Sequence, residues 1–500
     1  MSGNIYKLFI PFFILCFFKI NAILSEEQED RELIFVYQHA RHGARGPSAA
    51  YNSLFINGID EFNVSWKGEG DGELTLLGRR EHYDLGVRNR HKYGENGLGL
   101  INFSTYNPEE VLFHVSDYNR THQSLNSELL AMYQPGTLKN LPKKQVNESF
   151  PPNKEEWNKK KNEVLYQNIL DEILNLDNQT IIDNIPVFNV HPFGPNRIFN
   201  LESNCKNLDD IRKKNLEGKN QLLYGYFLKH KKELINFFKF KDETNLTDIK
   251  MMNSITDHYI SDYINMKDLT DFKEKTQIDL EEFLKESEEF YYKWMYNYYC
   301  TNESCVMESS RLMEDLLGYM ERRIKYYPKT TYYAPKLVMD CGHDTTVAPI
   351  QMFMYEAWKD KPSYGVKAKY CGYSCNLHFE LYKSKNEDKY YVYYFINDEL
   401  INIFDYKEFK EKISAKIYKQ EDMKKFCKID EVNESNVHKD ESFSESLKNH
   451  KSLWSALFIF IFTTIFGIVV IICLILRLKR QGGSILIEKD IKNQELSLDL

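Results

Sequence analysis

Five residues near the start of the chain, Arg41-His42-Gly43-Ala44-Arg45, set two guanidinium groups around an imidazole and a glycine. Arginine presents a planar fork of donors that matches phosphate oxygens, and it keeps its charge. A neutral imidazole can attack phosphorus and carry the phosphoryl group, which splits one displacement into two. Gly43 allows close backbone approach to an anion. Two later clusters have related chemistry: Arg120 in "SDYNRT", and His343-Asp344 directly after Gly342. Three arginines can compensate a phosphate dianion and the charge that spreads over its oxygens during transfer. A protonated carboxyl, here Asp344, can give its proton to a leaving alkoxide. Bound phosphate raises the pKa of that carboxyl, and the arginines oppose the rise. Taken singly, these residues have plainer readings: a solvated basic turn, a helix-start side chain and a helix cap. A cation is disfavoured at a helix start by the dipole, which points to another use for Arg120.

The clusters matter only if chain elements bring them together. "LIFVYQ", just before the first cluster, is a continuous apolar run, as expected of a strand buried on both faces. "VLFHVS", Val111 to Ser116, is a second strand candidate before Arg120, and "PKLVMDCGHD" ends in the third cluster. Helical spacing runs through 73–93, 119–133 and "TTVAPIQMFMYEAW". "CNLHFELYKS" and "KYYVYYFIND" read as a hairpin around "KNED". Residues 141–330 differ: they are charged, rich in Lys, Glu and Asn, and mainly helical in pattern, interrupted by the strand-like "IPVFNVHPF". The expected fold class is therefore α/β, a central sheet built from 30–140 and 331–430 and flanked by helices, with a mainly α-helical insertion between. In such sheets ligands bind where strands end and helices begin.

The ends of the chain set the expected compartment. Lys7, an apolar run from Leu8 to Phe18 and small residues near Ala22 have the layout of a signal peptide over 1–22. Residues 453–476 carry no charge and would make about 36 Å of helix, enough to cross a bilayer. Arg477, Lys479 and Arg480 follow and mark 477–500 as a cytoplasmic tail. Polar residues 431–452 read as a stalk. The expected product is a single-pass type I membrane protein, lumenal or extracellular, in the lysosome, the endosome or at the cell surface. A net charge of −8 gives no case for nucleic acid as a partner. Sequons at Asn63, Asn102, Asn147, Asn178, Asn245, Asn302 and Asn433 fit a glycosylated surface. Cys300, Cys305, Cys371 and Cys375 have spacings that permit zinc, but disulfides fit a secreted chain better. Cys341 belongs to an apolar strand run and reads as a buried free thiol.

"RHGARGP", "GELTLLGRREHYDLG", "SDYNRTHQS" and "CGHDTTVAPIQMF" resemble the histidine acid phosphatases, the high-molecular-weight branch of the histidine phosphatase superfamily. The resemblance runs from about Leu33 to Cys427 and is tight at the motifs. With its ends, the layout is most similar to the lysosomal-type, membrane-bound members. The resemblance implies a mixed α/β sheet domain carrying a smaller α-helical domain. It implies His42 as the phosphorylated nucleophile and Asp344 as proton donor. Arg41, Arg45, Arg120 and His343 would bind phosphate. It also implies a disulfide between Cys205 and Cys427, no metal and no cofactor, a small phosphomonoester as substrate, and a homodimer as one possible assembly. Ala44 stands where many animal members have Asp, and "RHGAR" is shared with phytases of the family. This leaves a phytase-like preference as the alternative, with an inactive phospho-ligand-binding ectodomain behind it.

Overall fold

The computed structural model describes residues 30–48, 66, 72–134, 167, 187–190, 205, 207–208, 210–211, 214, 229–238, 249–296 and 302–427. The apolar run before the first cluster is strand β1, Arg31–Arg41, buried from Leu33 onward. The other strands are β2 Val111–Ser116, β3 Phe188–Val190, β4 Leu337–Gly342, β5 Asn376–Ser384, β6 Tyr390–Ile396 and β7 Glu399–Asp405. They form a seven-stranded sheet in the order β3-β2-β4-β1-β5-β6-β7. β1 to β4 run parallel, and β5 to β7 add antiparallel strands beside β1. β4, from late in the chain, lies between the two early strands β1 and β2. The carboxyl ends of β2, β4 and β1 are thereby neighbours, and those ends carry the three polar clusters.

One boundary differs from the sequence reading. The last strand of the hairpin stops at Ile396, and Asn397-Asp398 form a turn with φ of 49° and 63°. Two successive positive φ angles make the tight turn that joins twisted antiparallel strands, and Asn-Asp tolerates them. The chain then returns as β7, a strand hidden in sequence because its pattern continues directly from β6.

Helices α1 (Leu76–Tyr93) and α2 (Asn119–Met132) lie over one sheet face, where Val36, Phe113, Val115, Leu125, Leu129 and Met339 share a core. Between β3 and β4 the described residues are mainly helical: α3 Lys231–Phe238, α4 Ile249–Ile264, α5 Thr270–Thr276, α6 Leu280–Trp294 and α7 Asn302–Tyr326. Helix α8, Asp344–Trp358, follows β4, and α9 (Tyr406–Ser414) and α10 (Gln420–Cys427) close the described chain. α8 is wedged between two cores. Val347, Ile350, Phe353 and Trp358 pack on the sheet with Phe35, Tyr37 and Phe379, whereas Ala348 packs with Ile255, Tyr259, Phe283 and Phe290 of α4 and α6. The helical segment therefore reaches the first turn of α8, where the third cluster begins.

Cys205 and Cys427 are disulfide-bonded across 222 residues, and Cys371 is bonded to Cys375. Cys305 is also disulfide-bonded, whereas Cys341 is a buried free thiol. Among the described residues no helix is long and apolar enough to cross a membrane. The expected signal peptide, stalk, span and tail lie outside the described residues.

The first cluster packs unusually close to α1. A Cβ built on Gly43 would stand 2.3 Å from the Gly78 carbonyl oxygen, and one built on Gly78 would stand 2.2 Å from the Ala44 carbonyl oxygen. Gly43 is thus required for contact with α1, a different reason from the anion approach expected of it. Gly78→Ala should cost about 1–3 kcal/mol of stability, the usual range for overpacking. Urea unfolding of the two proteins measures this.

Candidate active site

At the end of β1 the backbone holds the cluster from both sides. The Arg41 N–H donates to the Cys375 carbonyl at 2.8 Å, and the Ser374 N–H donates to the His42 carbonyl at 3.1 Å. The Arg41 carbonyl accepts from Nε2 of His82, a buried α1 residue whose Nδ1 lies 3.2 Å from Glu128 of α2. The loop closed by Cys371–Cys375 is therefore a brace: the Cys371 carbonyl accepts from Arg41 Nη1 at 2.9 Å, and the Tyr373 ring lies 4.6 Å from the guanidinium.

His42 is buried, and its Nδ1 donates to the Gly43 carbonyl at 2.8 Å. That bond fixes the tautomer and leaves Nε2 as the unprotonated, nucleophilic nitrogen. Burial, Arg120, His343, Arg41 and Arg45 all hold the His42 pKa well below that of an ordinary imidazole. The ring accordingly stays neutral in acid that would protonate a solvent-exposed histidine. His343 is the N-cap residue of α8, and its ring centroid is 5.4 Å from that of His42. Its pKa falls to about 3, chiefly through burial and Arg120. His343 Nδ1 lies 3.4 Å from Arg120 Nη2, and because arginine only donates, Nδ1 is the acceptor. Nε2 then carries the proton and donates to Ser116 Oγ at 2.8 Å.

The three guanidinium groups differ in their partners. Arg41 pairs with Asp344 at 2.6 Å. Burial alone would lower the Arg41 pKa, but Asp344 together with Tyr291, Tyr373 and Tyr370 outweighs it and the net shift is upward. Asp344 shows the mirror image: burial raises it, Arg41, Tyr291, His343 and Arg45 pull it down, and it settles at about 2. Arg45 pairs through both nitrogens with Asp257 of α4, at 2.7 and 3.3 Å, and Asp257 also accepts from the Ser48 N–H. Arg120, in the first turn of α2, lies over the Tyr118 ring at 4.4 Å. Burial and Arg45 push its pKa down to about 10, so an arriving anion would relieve its charge. The structure thus brings Arg41, His42, Arg45, Arg120, His343 and Asp344 to the adjoining ends of three parallel strands. Ala44 is fully buried, and its carbonyl accepts from Thr75, the N-cap residue of α1. The alanine thus packs the cluster against α1.

A fold of this topology, with a neutral buried histidine among arginines at strand ends, can be compared with known proteins. Residues 32–397 match the model of the histidine phosphatase superfamily (branch 2). The chain belongs to this superfamily. Lysosomal acid phosphatase of Xenopus laevis is 35% identical over 107 residues, 21% of this chain and 22% of that relative. Prostatic acid phosphatase of Homo sapiens is 32% identical over 123 residues, 25% of this chain and 28% of that relative. The matched stretches thus span about a quarter of the curated relatives. Among solved structures, the phytase from Citrobacter braakii superposes with a TM-score of 0.51 at 12% identity, covering 77% of this chain and 98% of the phytase. This likeness shows the shared fold.

Three residues of this histidine phosphatase site escaped sequence reasoning. Asp257 lies inside "ITDHYI" and Tyr291 inside "EFYYKW", both ordinary helical patterns far from the motifs. Tyr373 sits between two cysteines whose spacing marks a small loop but not its contact with Arg41. His39 and His114 surround the buried carboxyl of Asp340 in the sheet, at 3.9 and 2.8 Å, and serve the core.

Asp257 offers a test of the site's electrostatics. Burial raises its pKa, but Arg45 outweighs that and the net shift is downward from 3.8. Its contribution is therefore complete above the ordinary carboxylate range and is lost as pH falls through the lowered value. Asp257→Asn should cost about 3–5 kcal/mol at neutral pH, as for breaking a buried ion pair. The deficit should narrow in strong acid, and inorganic phosphate should recover part of it. Thermal unfolding with and without phosphate, across pH, measures both effects.

Proposed function

We propose that the protein is an acid phosphatase that hydrolyses phosphate monoesters through a phosphohistidine on His42. The observation that carries this reading is the state of that ring: Nδ1 is committed to the Gly43 carbonyl, and the surroundings keep Nε2 unprotonated. An ester phosphate bound by Arg41, Arg45 and Arg120, with His343 exchanging Ser116 for a phosphate oxygen as the acceptor of its N–H, presents phosphorus to Nε2 of His42. The N–P bond forms as the bond to the leaving oxygen breaks, and Asp344 supplies that oxygen with a proton. Water then attacks phosphorus, Asp344 takes its proton, and neutral His42 and inorganic phosphate are released.

Asp344 must be protonated for the first step, yet beside Arg41 it is a carboxylate with a pKa of about 2. Substrate resolves this conflict. Phosphate oxygens compete for Arg41, and their charge replaces a cation beside the carboxyl with an anion, which raises its pKa. Acid medium helps fill that proton, while His42 and His343 remain neutral because both are shifted downward. The same shifts make acid the expected working range.

Simple monoesters are the substrates the surroundings favour. Among the described residues, the side chains against the cradle arginines are the rings of Tyr118, Tyr291, Tyr373 and His343 and the carboxylates of Asp257 and Asp344. Tyrosine walls suit a single phosphate with an organic leaving group. The disulfides support an oxidising compartment. With residues 453–476 as a span, the proposed location is a membrane-anchored lumenal or extracellular domain, lysosomal or secretory.

Purified protein should hydrolyse p-nitrophenyl phosphate best in acid, without added metal and equally well with or without EDTA. His42→Ala should lose at least about 1000-fold in kcat, within the cost of removing a nucleophile. A His42→Ala protein that keeps its acid turnover would sink the mechanism. Preference for phytate over monoesters in a substrate panel would replace the proposed specificity with the phytase-like one.

A further inference from the structure

Tyr291 lies on α6, far in sequence from every motif of the site, yet its hydroxyl donates to Asp344 Oδ2 at 2.7 Å. The same oxygen meets Arg41 Nη2 at 2.6 Å. The other carboxyl oxygen, Oδ1, accepts from the Thr345 N–H at 2.8 Å. Both oxygens are thus tethered, and Arg41 is the only charged donor of the three, so it is the tether for which a phosphate competes most strongly.

We propose that Tyr291 is a positioning residue that acts through Asp344, holding Oδ2 so that the proton gained on substrate binding points at the leaving oxygen. This rests on the phosphatase reading above. When Arg41 turns to phosphate, Oδ2 takes up a proton. Tyr291 still donates to the remaining lone pair on Oδ2, and Thr345 still occupies Oδ1. The new O–H is left with the leaving oxygen as its acceptor. After transfer, Tyr291 stabilises the carboxylate. The phenol itself stays protonated, because burial and then Asp344 raise its pKa well above the ordinary value. No proton passes through it, and the step balances between Asp344 and the leaving group.

The groups facing Asp344 fix the sign of the effect. Arg41 and Arg45 face it from β1 and its loop, Arg120 from α2, His343 from its own junction, Tyr291 from α6 and Tyr370 from just before the Cys371–Cys375 loop. The cations and the tyrosine donor favour the carboxylate, so removing the Tyr291 hydroxyl makes Asp344 a weaker acid. Because phosphate binding is coupled to proton uptake, the same change should not weaken that binding. A site merely loosened by mutation would lose both.

Tyr291→Phe is the test, with Tyr292→Phe as control. Tyr292 is on the same helix and donates to the Ala368 carbonyl. In Tyr291→Phe, inorganic phosphate measured calorimetrically from pH 4 to 8 should bind as tightly as in the parent or several-fold tighter, with the alkaline fall in affinity moved to higher pH. The kcat for an alkyl ester such as glycerol phosphate should drop about tenfold, consistent with losing one hydrogen bond to a charged group. The kcat for p-nitrophenyl phosphate, whose leaving group needs little protonation, should change less than about threefold. Tyr292→Phe should leave the ratio of the two kcat values unchanged. Weaker phosphate binding together with equal loss on both esters overturns the proposal. The two failures are distinguishable: a parent protein that binds phosphate but hydrolyses neither ester fails the phosphatase reading itself, whereas a parent that turns over both esters while Tyr291→Phe leaves their kcat ratio unchanged fails Tyr291 alone.

Discussion

Three like charges crowded at the ends of neighbouring strands are the constraint on which this molecule turns. Arg41, Arg45 and Arg120 repel one another, and burial removes the water that would screen them. Asp344 answers Arg41 and Asp257 answers Arg45, while Arg120 rests against a tyrosine ring and a histidine. Neutral imidazoles fill the space between. An arriving phosphate meets one guanidinium whose charge is poorly compensated and one whose carboxylate can be protonated and set aside. The compensating carboxylates come from different places, one beside the site histidine and one from the helical segment.

That division explains why the helices between β3 and β4 matter to a site otherwise built on the sheet. α4 fixes Arg45 through Asp257, and α6 reaches Asp344 through Tyr291. Both depend on α8, which has one face on the sheet core and another on the helical core. The packing of Ala348 among Ile255, Tyr259 and Phe283 therefore bears on the acid two turns or less away.

The sequence made the strand ends legible because burial on both faces leaves an uninterrupted apolar run, and a run ending in Arg, His and Asp is conspicuous. Residues 34–46, 111–120 and 337–344 could be read that way. β7 could not, since only the two-residue turn Asn397-Asp398 separates it from β6. Asp257 and Tyr291 were hidden for another reason. On a helix surface a carboxylate or a tyrosine is commonplace, and only tertiary packing decides which one meets an arginine or an acid. The glycine of the first cluster was read for the anion, whereas Gly43 answers to α1, because sequence does not say which neighbour demands a small residue.

The sheet order carries a consequence for biosynthesis. β4 is central, flanked by β2 and β1, yet it begins at Leu337, long after β2 ends at Ser116 and β1 ends at Arg41. Until Gly342 has left the ribosome, β1 and β2 have no strand between them, and their long apolar edges stand open. His42 is present from the outset, but Asp344 and the strand that carries it are not, so the emerging chain lacks part of the candidate site and is prone to wrong pairings. At ordinary synthesis rates of about 5–20 residues per second, this vulnerable interval lasts on the order of ten seconds or more. Closure of the sheet by one late strand makes folding and assembly of the site a single event.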